Sequence, residues 1–228
     1  MIKGVLFDLD GTLLDRDASL LRFTEDQYER FPELQRVDRD QYIRRFVELD
    51  ARGYVWKDKV YEQLVREMDL ELSWGRLLED YIAGFRLHCI GYPHLREMLT
   101  ALKRQGMKLG IISNGFGEFQ WGSIQGLGIA DDFDAILISE LEGLRKPDPA
   151  IFRRALDRLE LQPEEAVFVG DHAVNDVEAS RKAGMKAVWM KAAAGDTSCE
   201  TDYSITDLME LKVILSNYAG CNIWTMGP

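Results

Sequence analysis

The sequence lacks the cysteine patterns that stabilise secreted domains or bind zinc. Its three cysteines, Cys89, Cys199 and Cys221, are widely spaced and form neither a CxxC pair nor a Cys/His ligand pattern. Neither a disulfide framework nor a zinc site is therefore indicated, and reduced thiols are expected.

Long apolar runs are also missing. No stretch approaches the roughly 20 residues that a membrane-spanning helix needs. The N-terminal residues MIKGVLFDLDG place two acids where a signal peptide would need its apolar stretch to continue. We therefore expect a cytoplasmic protein that has no membrane partner.

Positive charge is scarce as well. Lys and Arg total 28 against 39 Asp and Glu, which gives a formal net charge of −11. Such a charge repels a polyanion at long range, so nucleic acid is not an expected partner. A small phosphorylated metabolite is not excluded, because a local cation cluster or a bound metal reverses the field inside one cleft. The composition does not indicate an oligomeric state.

Short apolar runs alternate with segments of helical period over much of the chain. The runs lie at residues 2–7, 108–112, 135–138, 166–169, 187–190 and 203–205. Apolar runs of this length are typical of strands buried on both faces, and strands separated by helices favour parallel crossovers. We predict an α/β fold whose core is a doubly wound (Rossmann-like) parallel sheet.

Residues 17–90 interrupt this alternation. Their periodicity predicts about four amphipathic helices, with breaks near Pro32 and Gly53. We therefore predict a discontinuous α/β catalytic core formed by residues 1–16 and 91–228, and an inserted all-α helical domain over 17–90. An insert at this position can act as a cap over the active site.

The predicted strands end at polar residues. Asp8 and Asp10 follow the first strand, Ser113 follows the second and Asp171 follows the fourth. Ligands bind beyond the carboxyl ends of the strands in such sheets, so these side chains should meet at one edge. One carboxylate of a close pair can attack while the other transfers protons. Because a carboxylate and a phosphate repel each other, this chemistry requires a cation.

Candidate cations and metal ligands lie in other segments. Lys146 offers a fixed positive charge in the segment RKPDP, and Asp171 and Asp176 form a second acidic cluster in GDHAVND. Clustered carboxylate oxygens suit Mg²⁺. Ser113 adds a hydroxyl and neighbouring backbone amides at a turn that enters a helix, which suits a phosphate.

This ordered set of motifs resembles the haloacid dehalogenase superfamily. DLDGT is similar to the first motif of that family, the serine of IISNG to the second, the lysine of RKPDP to the third and GDHAVND to the fourth. The resemblance covers residues 1–13 and about 93–190. The position of the insert, between the first and second motifs, is similar to that in the helical-cap subclass, whose members act on small phosphorylated metabolites.

The resemblance implies a role for each acid. Asp8 would be the nucleophile that carries the phosphoryl group, and Asp10 the general acid and then the general base. The Asp8 side chain, the Asp10 backbone carbonyl and Asp171 would bind Mg²⁺. Asp176 would support the site, either through metal-bound water or by orienting Lys146. The phosphate-binding residues would be Thr12, Ser113, Asn114 and Lys146.

The acid at position 10 favours phosphoryl transfer, because relatives that dehalogenate typically lack it. The predicted function is a magnesium-dependent phosphatase acting on a sugar phosphate, a nucleoside monophosphate, phosphoglycolate or a similar monoester. A phosphomutase resembling β-phosphoglucomutase shares the same motifs and remains an alternative. A non-catalytic binding protein that keeps the fold is a third, although the intact acids and Lys146 argue against it.

Other residues invite a functional role on weaker grounds. His172 follows the acid of the fourth motif, but the family tolerates many residues there. Several basic and aromatic residues of the insert are candidates for contacting the distal part of a substrate, although a mixed charge run is usually a solvated helix face. They are Arg44, Arg45, Arg52, Trp56, Lys57 and Arg86.

Overall fold

The computed structural model of the protein describes residues 1–191, 201 and 203–219. The chain divides into two compact units. The core unit comprises Met1–Asp15 and the described part of Gly91–Pro228, and the helical unit comprises Arg16–Ile90. Cys199 and Cys221 lie outside the described residues, whereas the Cys89 thiol lies 3.7 Å from the Phe85 carbonyl, to which it donates.

The core unit is built on one parallel sheet, which has six strands among the described residues. The strands are β1 (Gly4–Phe7), β2 (Lys108–Ser113), β3 (Ala135–Ile138), β4 (Ala166–Gly170), β5 (Lys186–Met190) and β6 (Tyr203–Ile205). Their order in the sheet is β3-β2-β1-β4-β5-β6, and every neighbouring pair is parallel. This is the order of a doubly wound Rossmann-like sheet, so the predicted fold class is confirmed.

Helices flank the strands and also form the insert. Along the chain they are α1 (Arg16–Arg30), α2 (Arg39–Asp50), α3 (Lys57–Glu67), α4 (Trp74–Gly84), α5 (Leu95–Arg104), α6 (Gly117–Leu127), α7 (Ser139–Glu142), α8 (Pro149–Leu159), α9 (Ala179–Lys182) and α10 (Leu211–Ala219). A π-helix, Ala173–Glu178, precedes α9. Within the described part of the chain, no helix combines the length and the apolar character needed to cross a bilayer.

The apolar runs became strands because both faces of the sheet are covered. All four residues of β1 and all five of β4 are buried. On one face, Phe152 of α8 packs edge-on against Phe168 of β4, with ring centroids 5.1 Å apart. The observed strands begin or end within two residues of the predicted runs, whereas α7 and the π-helix were not predicted. A short π-helix has no side-chain period that distinguishes it in a sequence.

An aromatic core holds the helical unit together. The rings of Phe23 and Tyr81 meet edge-on with centroids 5.2 Å apart, and those of Phe46 and Tyr61 lie 5.3 Å apart. The buried Tyr61 hydroxyl donates to Gln27 Oε1 at 2.7 Å, which satisfies a polar group that would otherwise destabilise the core. The four α-helices of Arg16–Ile90 agree with the predicted all-α character of the insert.

A buried ion cluster joins α1, α2 and α3 of the helical unit. Asp50 accepts hydrogen bonds from Arg16 Nη2 at 2.8 Å, from the Gly53 amide at 2.9 Å and from Lys57 Nζ. Lys57 was a candidate for contacting substrate, but it is only 2% exposed and its amine is paired with Asp50. Arg45, another candidate, is paired with Glu67 and Glu48. Both side chains are engaged within the unit itself.

Replacing Asp50 should destabilise the protein markedly. Asp50→Asn removes the charge that compensates the buried Lys57 ammonium, and breaking a buried pair of this kind costs about 3–5 kcal/mol. Chemical denaturation measures the free energy of unfolding. Asp40→Asn is the matched control, because Asp40 is exposed on α2 and its loss should change stability by less than about 0.5 kcal/mol.

The effect of Asp50→Asn should also depend on pH. Burial raises the pKa of Asp50, but the Arg16 hydrogen bond and the Lys57 charge outweigh it, so the pKa lies below its ordinary value. A carboxyl of this kind stabilises the fold above its unfolded pKa of about 4 and loses that contribution as the pH falls. The stability difference should therefore shrink below about pH 4. Equal losses in the Asp50 and Asp40 variants would contradict this account.

Candidate active site

The order of the strands brings three of the predicted segments together. β1 lies between β2 and β4. Asp8 follows β1, Ser113 ends β2 and Asp171 follows β4, so all three lie at the carboxyl edge of the sheet. The Asp8 amide donates to the Val169 carbonyl at 2.9 Å, which continues the pairing of β1 with β4 up to the acid itself.

A buried lysine links two of the acids. Lys146 Nζ lies 2.6 Å from Asp8 Oδ1 and 2.7 Å from Asp176 Oδ1. Lys146 is 3% exposed and Asp176 is 1% exposed, so this ion triad is shielded from water. The predicted cation therefore contacts both the predicted nucleophile and the predicted supporting acid.

Asn114 fixes the backbone of the lysine segment. Its Nδ2 donates to the Lys146 carbonyl and its Oδ1 accepts from the Lys146 amide, both at 2.9 Å. Asn114 was predicted to bind phosphate. Because both ends of its side chain are engaged with Lys146, a phosphate contact would fall to its main chain.

A tight turn directly after Asp8 carries Asp10. The amides of residues 12–14 all point to the Leu9 carbonyl, at 2.9–3.3 Å, and Gly11 takes a left-handed conformation with φ of 82°. Asp10 Oδ2 accepts a hydrogen bond from Gln120 Nε2 at 2.7 Å. Thr12, another predicted phosphate ligand, is fully buried in this turn, and its hydroxyl has no hydrogen-bond partner among the described residues.

The acids of the site form a set that fits a divalent cation. Asp8, Asp171 and Asp176 each offer a carboxylate oxygen, and these oxygens lie within 4.8 Å of one another. Lys146 contacts Asp8 and Asp176, so one ammonium group faces three acids and the cluster carries an excess of negative charge. Closely spaced carboxylate oxygens are the ligands that Mg²⁺ prefers.

The electrostatics of the site reflect this excess. Burial raises the pKa of Asp8 well above its ordinary value, the charge of Lys146 opposes that shift, and the charges of Asp176 and Asp171 add to it. Burial and Asp176 raise the pKa of Asp171 to about 7. Burial lowers the pKa of Lys146, but the two acids outweigh burial and leave the pKa raised. Additional positive charge would stabilise the ionised acids.

His172 caps the π-helix that carries Asp176. Its Nδ1 accepts from the amides of Val174 and Asn175 at 3.1 and 3.2 Å. The His172 amide donates to Asp176 Oδ2 at 3.0 Å, so the same residue orients the acid. These contacts give His172 a structural role in the loop.

Three residues that the sequence did not single out form hydrogen bonds with residues 113–117, the segment that begins with Ser113. Ser139 Oγ accepts from the Gly115 amide at 3.0 Å, and Glu140 Oε2 accepts from the Gly117 amide at 2.6 Å. The third is Gln120, which contacts both Asp10 and Ser113. The spacing of Gln120, Ser123 and Ile124 places them on one face of α6, the face that is buried. That spacing is the one sequence signal that could have indicated a buried glutamine.

Known proteins resemble this chain in sequence and in fold. A family model described as haloacid dehalogenase-like hydrolase matches residues 5–190. A glyceraldehyde 3-phosphate phosphatase from Pyrococcus furiosus is 32% identical over 231 residues, covering 96% of this chain and 95% of the relative. A phosphoserine phosphatase from Thermus thermophilus is 37% identical over 158 residues, which cover 68% of this chain and 64% of the relative. The crystal structure of a HAD phosphatase from Thermococcus onnurineus has a TM-score of 0.66 to this chain and 30% sequence identity. The match covers 94% of this chain and 98% of that protein.

Replacing Gly11 should disturb the acid cluster. In Gly11→Ala the new Cβ would lie 2.3 Å from Asp171 Oδ2, and φ of 82° strains any residue with a side chain. We expect Mg²⁺ binding, measured by titration calorimetry, to weaken by about 10- to 100-fold because Asp171, a predicted ligand, is displaced. The backbone strain adds about 1–2 kcal/mol of destabilisation.

Gly106→Ala separates the two effects. Gly106 has φ of 68°, but nothing lies within 4 Å of the position its Cβ would take. This variant shares the backbone strain and should bind Mg²⁺ as the wild type does. Equal Mg²⁺ affinity in the two variants would show that Asp171 is not a ligand or that it tolerates displacement.

Proposed function

Since the chain belongs to the haloacid dehalogenase-like hydrolase family and is a phosphatase of small phosphate substrates, we propose that Asp8 is its nucleophile and Asp10 its general acid and base. The observation that carries this proposal is the contact of Lys146 Nζ with both Asp8 and Asp176 beside the Asp171 carboxylate. A nucleophilic carboxylate and a cation able to neutralise phosphate oxygens are the two requirements of phosphoryl transfer to an acid.

In the first half of the reaction, Asp8 attacks the phosphorus atom. The bond between phosphorus and the leaving oxygen breaks, and Asp10 transfers its proton to that oxygen. Lys146 and Ser113 bind the phosphoryl oxygens. Mg²⁺, held by Asp8, Asp171 and the Asp10 carbonyl, would supply positive charge that offsets the repulsion between the carboxylate and the phosphate.

In the second half, Asp10 acts as a base. It takes a proton from a water molecule as the water oxygen attacks phosphorus, and the bond between phosphorus and the Asp8 oxygen breaks. Inorganic phosphate leaves and Asp8 is regenerated as a carboxylate. Asp176 keeps Lys146 in place through both halves.

We also infer that the helical unit is a cap domain that controls access of the substrate. The chain leaves the core unit directly after the Asp10 turn and returns beside it, where Leu14 pairs with Gly91 and the Tyr92 amide donates to the Leu13 carbonyl at 3.0 Å. Two neighbouring connections allow a separate unit to move as a body.

Replacing the nucleophile should abolish turnover. Asp8→Asn should reduce kcat for p-nitrophenyl phosphate by at least about 1,000-fold, because an amide oxygen is a far weaker nucleophile than a carboxylate. The matched control is Asp157→Asn, which changes an exposed acid on α8 and should leave kcat unaltered. Turnover by Asp8→Asn at the wild-type rate would refute the role of Asp8.

The relative named glyceraldehyde 3-phosphate phosphatase suggests the substrate to test first. In a panel that also includes phosphoserine, phosphoglycolate, hexose phosphates and nucleoside monophosphates, we expect kcat/KM for glyceraldehyde 3-phosphate to exceed that for a nucleotide by at least about tenfold. Phosphate release should stop in EDTA and return with Mg²⁺. A preference for nucleotides would contradict the proposed substrate class, and isomerised hexose phosphate without free phosphate would favour the phosphomutase alternative.

A further inference from the structure

The side-chain amide of Gln120 contacts both Asp10 and Ser113. Gln120 Nε2 lies 2.7 Å from Asp10 Oδ2, 2.8 Å from Ser113 Oγ and 3.2 Å from the Asn114 carbonyl. Gln120 is 3% exposed, so water does not compete for these contacts. The glutamine therefore joins the predicted acid and base to a predicted phosphate ligand.

The chemistry of its neighbours fixes the orientation of the Gln120 amide. A main-chain carbonyl oxygen and a carboxyl oxygen that carries no proton only accept hydrogen bonds. Turning the amide over would place Oε1 against Asp10 Oδ2 and the Asn114 carbonyl, and three acceptors would then face one another. Nε2 is therefore the atom that faces them, and it donates.

This donation leaves each partner ready for its role. When Nε2 donates to Asp10 Oδ2, the other oxygen of that carboxyl, Oδ1, is the one that carries the transferable proton. When Nε2 donates to Ser113 Oγ, the serine hydroxyl keeps its own hydrogen to donate to a phosphoryl oxygen. The amide has two hydrogens, and the two shorter contacts assign them to Asp10 and Ser113, whereas the Asn114 carbonyl lies farther away at 3.2 Å.

Packing holds Gln120 in this position. A Cβ on Gly115 would lie 2.8–3.0 Å from three atoms of the Gln120 side chain, so the side chain lies directly over that glycine. Ser139 and Glu140 in turn hold the Gly115 and Gly117 amides. Gln120 therefore lies in the first turn of α6 against a segment whose backbone is fixed by hydrogen bonds. A side chain held in this way loses little freedom when it binds its partners.

We propose that Gln120 is a positioning residue that aims the Asp10 proton at the leaving oxygen and orients the Ser113 hydroxyl. The inference rests on the proposed function, in which Asp10 is the general acid. It assigns Gln120 no contact with substrate, and its effect passes through Asp10 and Ser113.

The dependence of the rate on the leaving group tests this proposal. An alkyl phosphate needs a proton on its departing oxygen, whereas p-nitrophenolate departs without one, so only the alkyl substrate depends strongly on a well-placed Asp10. The quantity to compare is the ratio of kcat/KM for glyceraldehyde 3-phosphate, or for the alkyl phosphate that the wild type cleaves fastest, to kcat/KM for p-nitrophenyl phosphate. Any loss common to both substrates, such as weaker binding through Ser113, cancels in this ratio.

Gln120→Met keeps the volume of the side chain and removes the donor. We expect the ratio to fall by at least about tenfold, since misplacing a catalytic group by about 1 Å costs up to about 100-fold. Asp10→Asn, which removes the acid altogether, should lower the ratio at least as far. Gln125→Met is the matched control, because Gln125 is exposed on the same helix and its loss should leave the ratio at the wild-type value.

Gln120→Glu provides a second test in case Gln120→Met does not fold. It keeps the shape of the side chain, but its ionised carboxylate cannot donate and repels Asp10, so the ratio should again fall. A wild-type ratio in whichever variant folds would overturn the role of Gln120 and leave the proposed function intact. A wild-type enzyme that releases no phosphate from any substrate would overturn both.

Discussion

A single buried ammonium group, Lys146 Nζ, holds the site together by contacting Asp8 and Asp176. A buried cation is tolerated only when acids compensate its desolvation, and here two do. Asp8 lies 138 residues from Lys146 along the chain, and Asp176 lies 30 residues away. Asp8 follows β1 and Asp176 lies beyond β4, so the pairing of these two strands brings both acids to one ammonium group.

The order of the strands brings the site residues to one edge of the sheet, and hydrogen bonds in the loops fix their positions. β1 is central, so the segments after β2 and β4 both border Asp8. Around that edge, side chains bind main-chain atoms: Asn114 brackets Lys146, Ser139 holds Gly115 and Glu140 holds Gly117. A mobile loop would spread these groups over several ångströms, whereas each bond here fixes one point of the backbone. Catalysis by positioning needs this degree of order.

The parts of the molecule that were predictable from the sequence are those with a local signal. Buried parallel strands are apolar throughout, and the polar residues at their ends mark the edge where ligands bind, so Asp8, Ser113 and Asp171 could be placed together. The inward position of Lys57 and the contact of Gln120 with Asp10 had no such signal. Both depend on partners that tertiary packing selects, and a lysine or a glutamine on a helix gives no indication of which partner it will meet. The π-helix before α9 lacks a distinctive side-chain period.

Two acids only two residues apart receive different neighbours, and the difference suits different work. Asp8 contacts an ammonium group, whose charge favours the ionised form that a nucleophile needs and acts against burial. Asp10 contacts a neutral amide, which can donate to a carboxyl in either protonation state. An ammonium group favours the ionised form of a neighbouring carboxyl, whereas an amide contacts both forms. In the proposed mechanism Asp10 serves first as acid and then as base, and a neutral donor such as Gln120 suits that exchange better than a charged one.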